Sequence, residues 1–271
     1  MATEAAVIGA SSGPATVASL TDDLRRLGLG EGEVVIVHSS LSALGWVAGG
    51  EQAVVRALFD TVGESGTIVM PTQSGQLSDP ARWSDPPVPS AWVDIVRAGL
   101  PAYDPYATPT RSMGRIVECF RQHRQTRRSD HPTSSFAANG PLADSIVGSH
   151  PLTPSLGELS PLGRLYELDA VVLLLGVGHA SNTSLHLSEY RATWSGKARY
   201  TEGVPVLRDG LRMWVTYDDQ VPDDHDFERI GAALAEAGLE RSRPVGQAIG
   251  RLCRHRELVD FGTEWMSEHR S

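Results

Sequence analysis

The residues best suited to chemistry are His186 and Glu189, at the end of the segment LLLGVGHASNTSLHLSE that spans 173–189. Residues three apart on a helix share a face, so this imidazole and this carboxylate can touch. A carboxylate beside an imidazole selects its tautomer and supports its charged form. Such a pair is equipped for general-base catalysis; a plain surface pair is the alternative. A second polar group, His38-Ser39-Ser40-Leu41-Ser42, offers hydroxyls and backbone N–H groups. These suit an anion such as a phosphate, or they simply cap and turn the chain. A third group, Thr72-Gln73-Ser74, closes another apolar run.

The elements that must carry these groups follow from periodicity. Val171, Val172, Leu173, Leu174 and Leu175 stop at Gly176-Val177-Gly178, which predicts a buried strand over 171–177, a glycine turn, and a helix bearing His186. Val34-Val35-Ile36-Val37 reads as a second buried strand, followed by a helix over 51–62 and a third strand over 67–70. Three strands ending in polar loops place one site along one sheet edge, where open α/β sheets bind ligands. Thr16 caps a helix whose Val17, Leu20, Leu24 and Leu27 recur at helical spacing. Residues 73–109 form a long irregular excursion with one short helix near 91–98, read as a lid, a binding wall or a passive insertion. A helix over 114–123, a turn fixed by Pro132 into a short strand, and a helix over 162–168 come next. Arg208-Asp209-Gly210 joins a hairpin of 200–207 and 211–217, before helices over 227–237 and 262–269. The expected fold is α/β: a mixed central sheet flanked by helices, with a long irregular insertion and a C-terminal β-hairpin plus helices. Residues 1–15 read as a flexible tail and 16–271 as a single domain.

Composition narrows the function. With 271 residues, 41% apolar and 21% charged, the chain is an ordinary globular one with enough length for a substantial core. No apolar run approaches the ~18 residues of a membrane span, and the Ala- and Ser-rich start has no secretory pattern; a cytoplasmic location is expected. A net charge of −9 argues against nucleic acid and is compatible with a polycationic small molecule. Cys119 and Cys253 are too few for a disulfide framework or a Cys-rich metal site; Cys119 reads as a packing residue, Cys253 follows Leu252 in a basic stretch, and neither reads as a nucleophile. Arg121, Arg124, Arg127 and Arg128 form a small basic cluster, for phosphates or for solvent. Asp218, Asp219, Asp223, Asp224 and Asp226 form an acidic loop, for ammonium groups or for solvent; His225 within it matches no zinc or calcium spacing.

Six stretches, in order, resemble the aminoglycoside 3-N-acetyltransferase family, the antibiotic N-acetyltransferase fold rather than the GNAT fold. They are VIVHSSLSALG (35–45), GTIVMPT (66–72), TRSMGRI (110–116), RRSDHPTSSFAANG (127–140), ELSPLGRL (158–165) and LLLGVGHASNTSLHLSE (173–189). PVGQAIGRL (244–252) is a weaker match. The resemblance implies direct acetyl transfer from acetyl-CoA to an amine, the 3-amino group of an aminoglycoside in the family pattern, by a monomer or homodimer and without a metal. It implies that His186 is the general base, Glu189 its orienting carboxylate and Thr183 an oxyanion donor. It implies coenzyme contacts from His38, Ser39, Ser40, Leu41, Ser42, Thr72, Arg111, Ser112, Met113, Gly114, Ser135 and Phe136. Some members carry an acidic residue and a Trp after the third strand, where this chain has Thr72-Gln73-Ser74. Three other readings therefore stay open: a non-aminoglycoside amine as acceptor, a catalytically silent coenzyme A-binding protein, and a Ser–His–Glu hydrolase, the last without a Gly-x-Ser-x-Gly elbow.

Overall fold

The computed structural model describes residues 4–271. Within the expected tail, Glu4–Ala10 form a helix, α1, and Ala15 makes a parallel bridge to Val47. Two contacts with Trp46 hold this segment down. Its indole N–H donates to Glu4 at 3.1 Å and its backbone N–H to Ser11 Oγ at 2.8 Å. Helix α2 (Val17–Leu27) begins at a capping box between Thr16 and Ser19 and buries Leu20, Leu24 and Leu27. Strand β1 (Val34–Ser39), helix α3 (Gly50–Val62) and strand β2 (Thr67–Pro71) follow as expected. The excursion after β2 holds three short 3-10 turns and one helix, α4 (Val93–Gly99). Helix α5 (Gly114–Arg121) leads to the short strands β3 (Arg127–Arg128) and β4 (Phe136–Asn139). Helices α6 (Ala143–Val147) and α7 (Pro161–Glu167) precede the central strand β5 (Val171–Leu175) and helix α8 (Leu185–Arg191). The chain continues through β6 (Arg199–Arg208), β7 (Leu211–Gln220), α9 (Phe227–Glu236), β8 (Arg241–Val245), β9 (Ala248–Arg254) and α10 (His255–His269).

Seven strands make one mixed sheet in the order β3-β4-β2-β1-β5-β9-β8, and β6 and β7 form a separate two-stranded ribbon. The three central strands are parallel, β2 and β5 flanking β1, while β4 and β9 run antiparallel on either side. Side chains alternate across the sheet. Val35, Val37, Ile68 and Leu173 join the apolar cluster under α2, α3 and α5. Ile36, Val69, Val172 and Leu174 join the opposite one, under α6, α7, α8, α9 and α10. Leu185 and Leu187 are fully buried there. Each is worth about 1.5–3 kcal/mol on transfer from water, and together they set the orientation of α8. The hairpin β8–β9 was not expected from the sequence, because Arg241, Ser242, Arg243 and Pro244 are exposed on an edge strand and show no apolar alternation. Helix α10 starts at His255 rather than near 262. No helix among the described residues is long and apolar enough to cross a membrane.

Candidate active site

Two strand ends bring the site together. β1 and β5 run side by side with Ser39 opposite Leu175, so their C-terminal loops leave the sheet together. Gly176 ends β5 at φ 71°, and a Cβ there would lie 2.7 Å from Ala43 Cβ. Only glycine allows both that turn and the close approach of the 40–44 loop. Ser40 N–H donates to the Leu175 carbonyl at 2.9 Å, and Thr183 N–H donates to His38 Nε2 at 3.0 Å. His38 therefore carries its proton on Nδ1. It is buried and stays neutral: burial, with lesser contributions from His179 and His186, lowers its pKa to about 3.

The expected pair on α8 is formed. His186 Nδ1 lies 2.5 Å from Glu189 Oε2, and its ring tilts against Phe227 at 5.0 Å between centroids. Glu189 is 1% exposed. Its other oxygen accepts from Arg270 Nη1 at 2.8 Å and from the Asp223 N–H at 3.0 Å. Arg270 is itself buried and grips Asp226 with two bonds, at 2.5 and 2.9 Å, while donating to the Asp223 carbonyl at 2.7 Å. Burial alone would lower its pKa, but the bonds to Asp226 and Glu189 raise it, and the guanidinium stays charged. With Nδ1 committed to Glu189, Nε2 is the ring nitrogen left to exchange a proton with another molecule.

A cavity of about 50 Å³ opens beside this pair, lined among others by Ser134, Ser155, His186, Tyr190, Tyr200 and Gln220. It has room for one small group and not for a whole ligand, whose pockets are typically several hundred Å³. Tyr190 Oη donates to Asp219 at 2.6 Å, and the same carboxylate accepts from the Ser155 N–H at 2.9 Å. The acidic loop is thus neither simply solvated nor simply a cation trap: Asp219 and Asp226 are 2% exposed and hold the protein together. His225 pairs with Asp223 at 2.6 Å, and no cluster of metal-ligating side chains occurs among the described residues.

The residues named from the resemblance separate into two groups. Ser39 is the last residue of β1, its hydroxyl buried without a partner, and Ser40, Leu41 and Ser42 lie on the loop after it, with Ser40 Oγ 3.2 Å from Ser42 Oγ. Arg111, Ser112, Met113 and Gly114 form the exposed or half-buried turn into α5; Ser112 and Gly114 have positive φ, and the Arg111 N–H donates to Gln73. Thr72, Ser135 and Phe136 are instead fully buried. Arg128 Nε donates to both hydroxyls at 3.1 Å, and its Nη2 donates to the Thr72 carbonyl at 2.6 Å. Phe136 belongs to the core. These three side chains face inward and form a layer under the loops rather than an open surface. Thr183 is buried, and its N–H is already used by His38, which leaves its hydroxyl as a donor.

The expected basic cluster is dispersed. Arg128 is internal, Arg121 binds Glu118 and the Tyr106 carbonyl, and Arg127 pairs with Asp144. Arg124 lines a larger concavity of about 780 Å³ between α3 and α5, with Arg56, Arg115, Cys119 and His123. That groove lies against the sheet face opposite His186 and holds none of its partners. Cys119 is half-buried there, and Cys253 is buried in β9, as packing residues. Arg270 and Gln220 were missed by sequence reasoning, since nothing local marks them as neighbours of His186; Tyr190, four residues on along α8, was missed although helical spacing marks it, and Asp219 was read only as a member of the acidic loop.

The model of the family described as aminoglycoside 3-N-acetyltransferase matches residues 36–267. The SPbeta prophage-derived aminoglycoside N(3')-acetyltransferase-like protein YokD of Bacillus subtilis (strain 168) is 45% identical over 260 residues, covering 96% of this chain and 95% of that protein. Its crystal structure superposes with a TM-score of 0.95 over 97% of each chain. Aminoglycoside N(3)-acetyltransferase VII of Streptomyces paromomycinus is 38% identical, covering 98% of this chain and 96% of that protein. A binary complex of AAC-IIIb with CoASH has a TM-score of 0.85 at 28% identity, covering 94% of this chain and 97% of that one. With the strand-end loops, the helix between them and the match over most of its length, the chain belongs to the aminoglycoside 3-N-acetyltransferase family of enzymes.

Proposed function

We propose that the chain, working as one domain over 16–271, transfers the acetyl group of acetyl-CoA directly to an amine of an aminoglycoside, the 3-amino group by analogy with its relatives. The observation that carries this reading is the relay His186–Glu189–Arg270, built around the buried Glu189, beside a cavity the size of one small group. Acetyl-CoA supplies an acyl group activated as a thioester. The donors on the β1 loop fit such a group: Nδ1–H of His38 and the hydroxyl of Ser39 are buried without partners, and Ser40 and Ser42 lie beside them. The turn Arg111–Ser112–Met113–Gly114 is the second coenzyme-facing surface, with Thr72, Ser135 and Phe136 supporting the loops from beneath.

An ammonium has no lone pair, so the acceptor must be deprotonated before or as it attacks. Its first proton is lost to solvent; His186 Nε2 takes the second as the nitrogen attacks, and Glu189, anchored by Arg270, stabilises the imidazolium. The amine nitrogen bonds to the acyl carbon as the C–S bond breaks, and the proton held by His186 is available to the departing thiolate. Thr183 contributes its hydroxyl where negative charge grows on the acyl oxygen; one such donor is worth about 3 kcal/mol. No acyl-enzyme is required.

The test is thiol release with acetyl-CoA and a panel of aminoglycosides and simpler amines. His186→Ala is expected to lower kcat by about 10²–10⁴-fold while coenzyme A still binds; unchanged turnover refutes the assignment. A second reading, a non-aminoglycoside amine as acceptor, is favoured by Thr72-Gln73-Ser74 and by the internal use of Asp219 and Asp226. Turnover confined to the simpler amines would establish it.

A further inference from the structure

Two histidines outside the relay, His131 and His150, sit behind the cavity wall. Their rings are 4.6 Å apart at 38°, with Phe136 5.9 Å from His150 and Tyr217 perpendicular to His131 at 6.1 Å. Each ring is hydrogen-bonded at both nitrogens. His131 Nδ1 accepts from the N–H groups of Thr133 and Ser134, at 3.3 and 3.0 Å, so its proton lies on Nε2, which donates to the Leu152 carbonyl at 3.1 Å. Ser129 Oγ accepts from the Phe136 N–H, so its hydroxyl proton is free to donate to His150 Nδ1 at 2.9 Å. His150 Nε2–H then donates to the Ser155 carbonyl at 2.7 Å. Both imidazoles are therefore neutral Nε2–H tautomers. Burial agrees with this, lowering His131 to about 4 and His150, with a further push from His131, to about 3.

Of the four backbone groups so anchored, two belong to Ser134 and Ser155, and both of these residues line the cavity beside His186. Ser155 is held at a second point by Asp219, the carboxylate that also takes the Tyr190 proton. We propose that His131 and His150 are positioning residues: a neutral imidazole pair that sets the spacing of Ser134 and Ser155 across the mouth of the acceptor cavity and so the pose of the acceptor amine against His186 Nε2. This rests on the proposed acetyltransfer reading. It explains a histidine in the Asp130-His131-Pro132 turn that neither the base nor the coenzyme loops use. An ångström of misplacement at such a wall costs up to about 10²-fold in rate.

The experiment compares His150→Gln with His150→Asn, and His131→Asn with His131→Leu, in the full chain with acetyl-CoA and the best aminoglycoside of the panel. Gln reaches the Ser155 carbonyl with an amide N–H, whereas Asn is too short; Asn at 131 can accept from the Ser134 N–H, whereas Leu cannot. The expected result is an acceptor KM about tenfold higher in His150→Asn and His131→Leu, within about threefold of the parent in the rescuing variants, with the KM for acetyl-CoA unchanged throughout. The polar substitutions at 150 differ by one methylene, so they keep the comparison readable if the leucine variant does not fold. Equal effects of Gln and Asn, or parallel rises in both KM values, overturn the inference while leaving acetyltransfer in place. A parent protein that acetylates no amine overturns both.

Discussion

Replacing Arg270 by methionine isolates the support behind the proposed general base. Its side chain is 5% exposed and bonds Glu189 and Asp226, whose side chains are 1% and 2% exposed, so none of the three charges is well screened by water. Methionine keeps the length and apolar stem but leaves two buried carboxylates without a counter-charge. Glu189 retains only the Asp223 N–H on that oxygen. Breaking a buried pair from one side costs about 3–5 kcal/mol, which for a chain of this size lowers the melting temperature by roughly 10 °C. Turnover should fall at least about tenfold, because a carboxylate no longer pinned on one side holds the His186 ring less firmly. The diagnostic variant is the double one, Arg270→Met with Asp226→Asn, which removes one stranded charge. It should recover part of the lost stability, with a coupling energy of about 1 kcal/mol or more in a double-mutant cycle followed by thermal and urea unfolding. A single variant melting within about 2 °C of the parent, or additive effects in the cycle, would refute the argument that Arg270 neutralises this site.

Acid should destabilise the fold early. Burial lowers His38, His131, His150 and His255 to about 3, 4, 3 and 3 from an ordinary imidazole value of 6.5. Above pH 6.5 each is neutral folded or unfolded and stability is full; as pH falls below 6.5 only the unfolded chain gains these protons, and at pH 5 each such group costs about 2 kcal/mol. Urea midpoints should therefore fall steeply between pH 6.5 and 5, and a flat profile there would contradict the neutral assignment. Gly231→Ala would place a Cβ 2.2 Å from His179 Cδ2 and force that ring off Glu240, which it bonds at 2.7 Å. A loss of about 1–3 kcal/mol is expected, read by chemical unfolding; no loss would mean that α9 shifts freely on the 179–181 turn.

Legibility in the sequence follows locality. β1, β2 and β5 are short runs of buried apolar residues closed by polar or glycine positions, and they can be read one at a time. His186 and Glu189 are three residues apart, so a helix is all that is needed to join them. Arg270 is 81 residues from Glu189, and nothing short of the folded chain pairs them. Asp219 and Asp226 look like solvent-facing members of an acidic run, because charge alone does not reveal a buried partner. Thr72 and Ser135 stand in motifs that imply coenzyme contacts, and only the folded chain shows that Arg128 donates to both hydroxyls. The β8–β9 hairpin is hidden for a different reason: its outer strand is polar and carries Pro244, which only an edge tolerates.

The separations within the relay also bear on when activity first appears. Thr183 meets His38 across 145 positions of chain, Glu189 meets Arg270 across 81, and Asp223 meets Glu189 across 34. Non-local closures of this kind come late in folding, because loop entropy opposes them until most of the molecule is in place. Helical signal should therefore return ahead of turnover during refolding from denaturant. On the proposed reading, turnover begins only when the last distant partner has arrived.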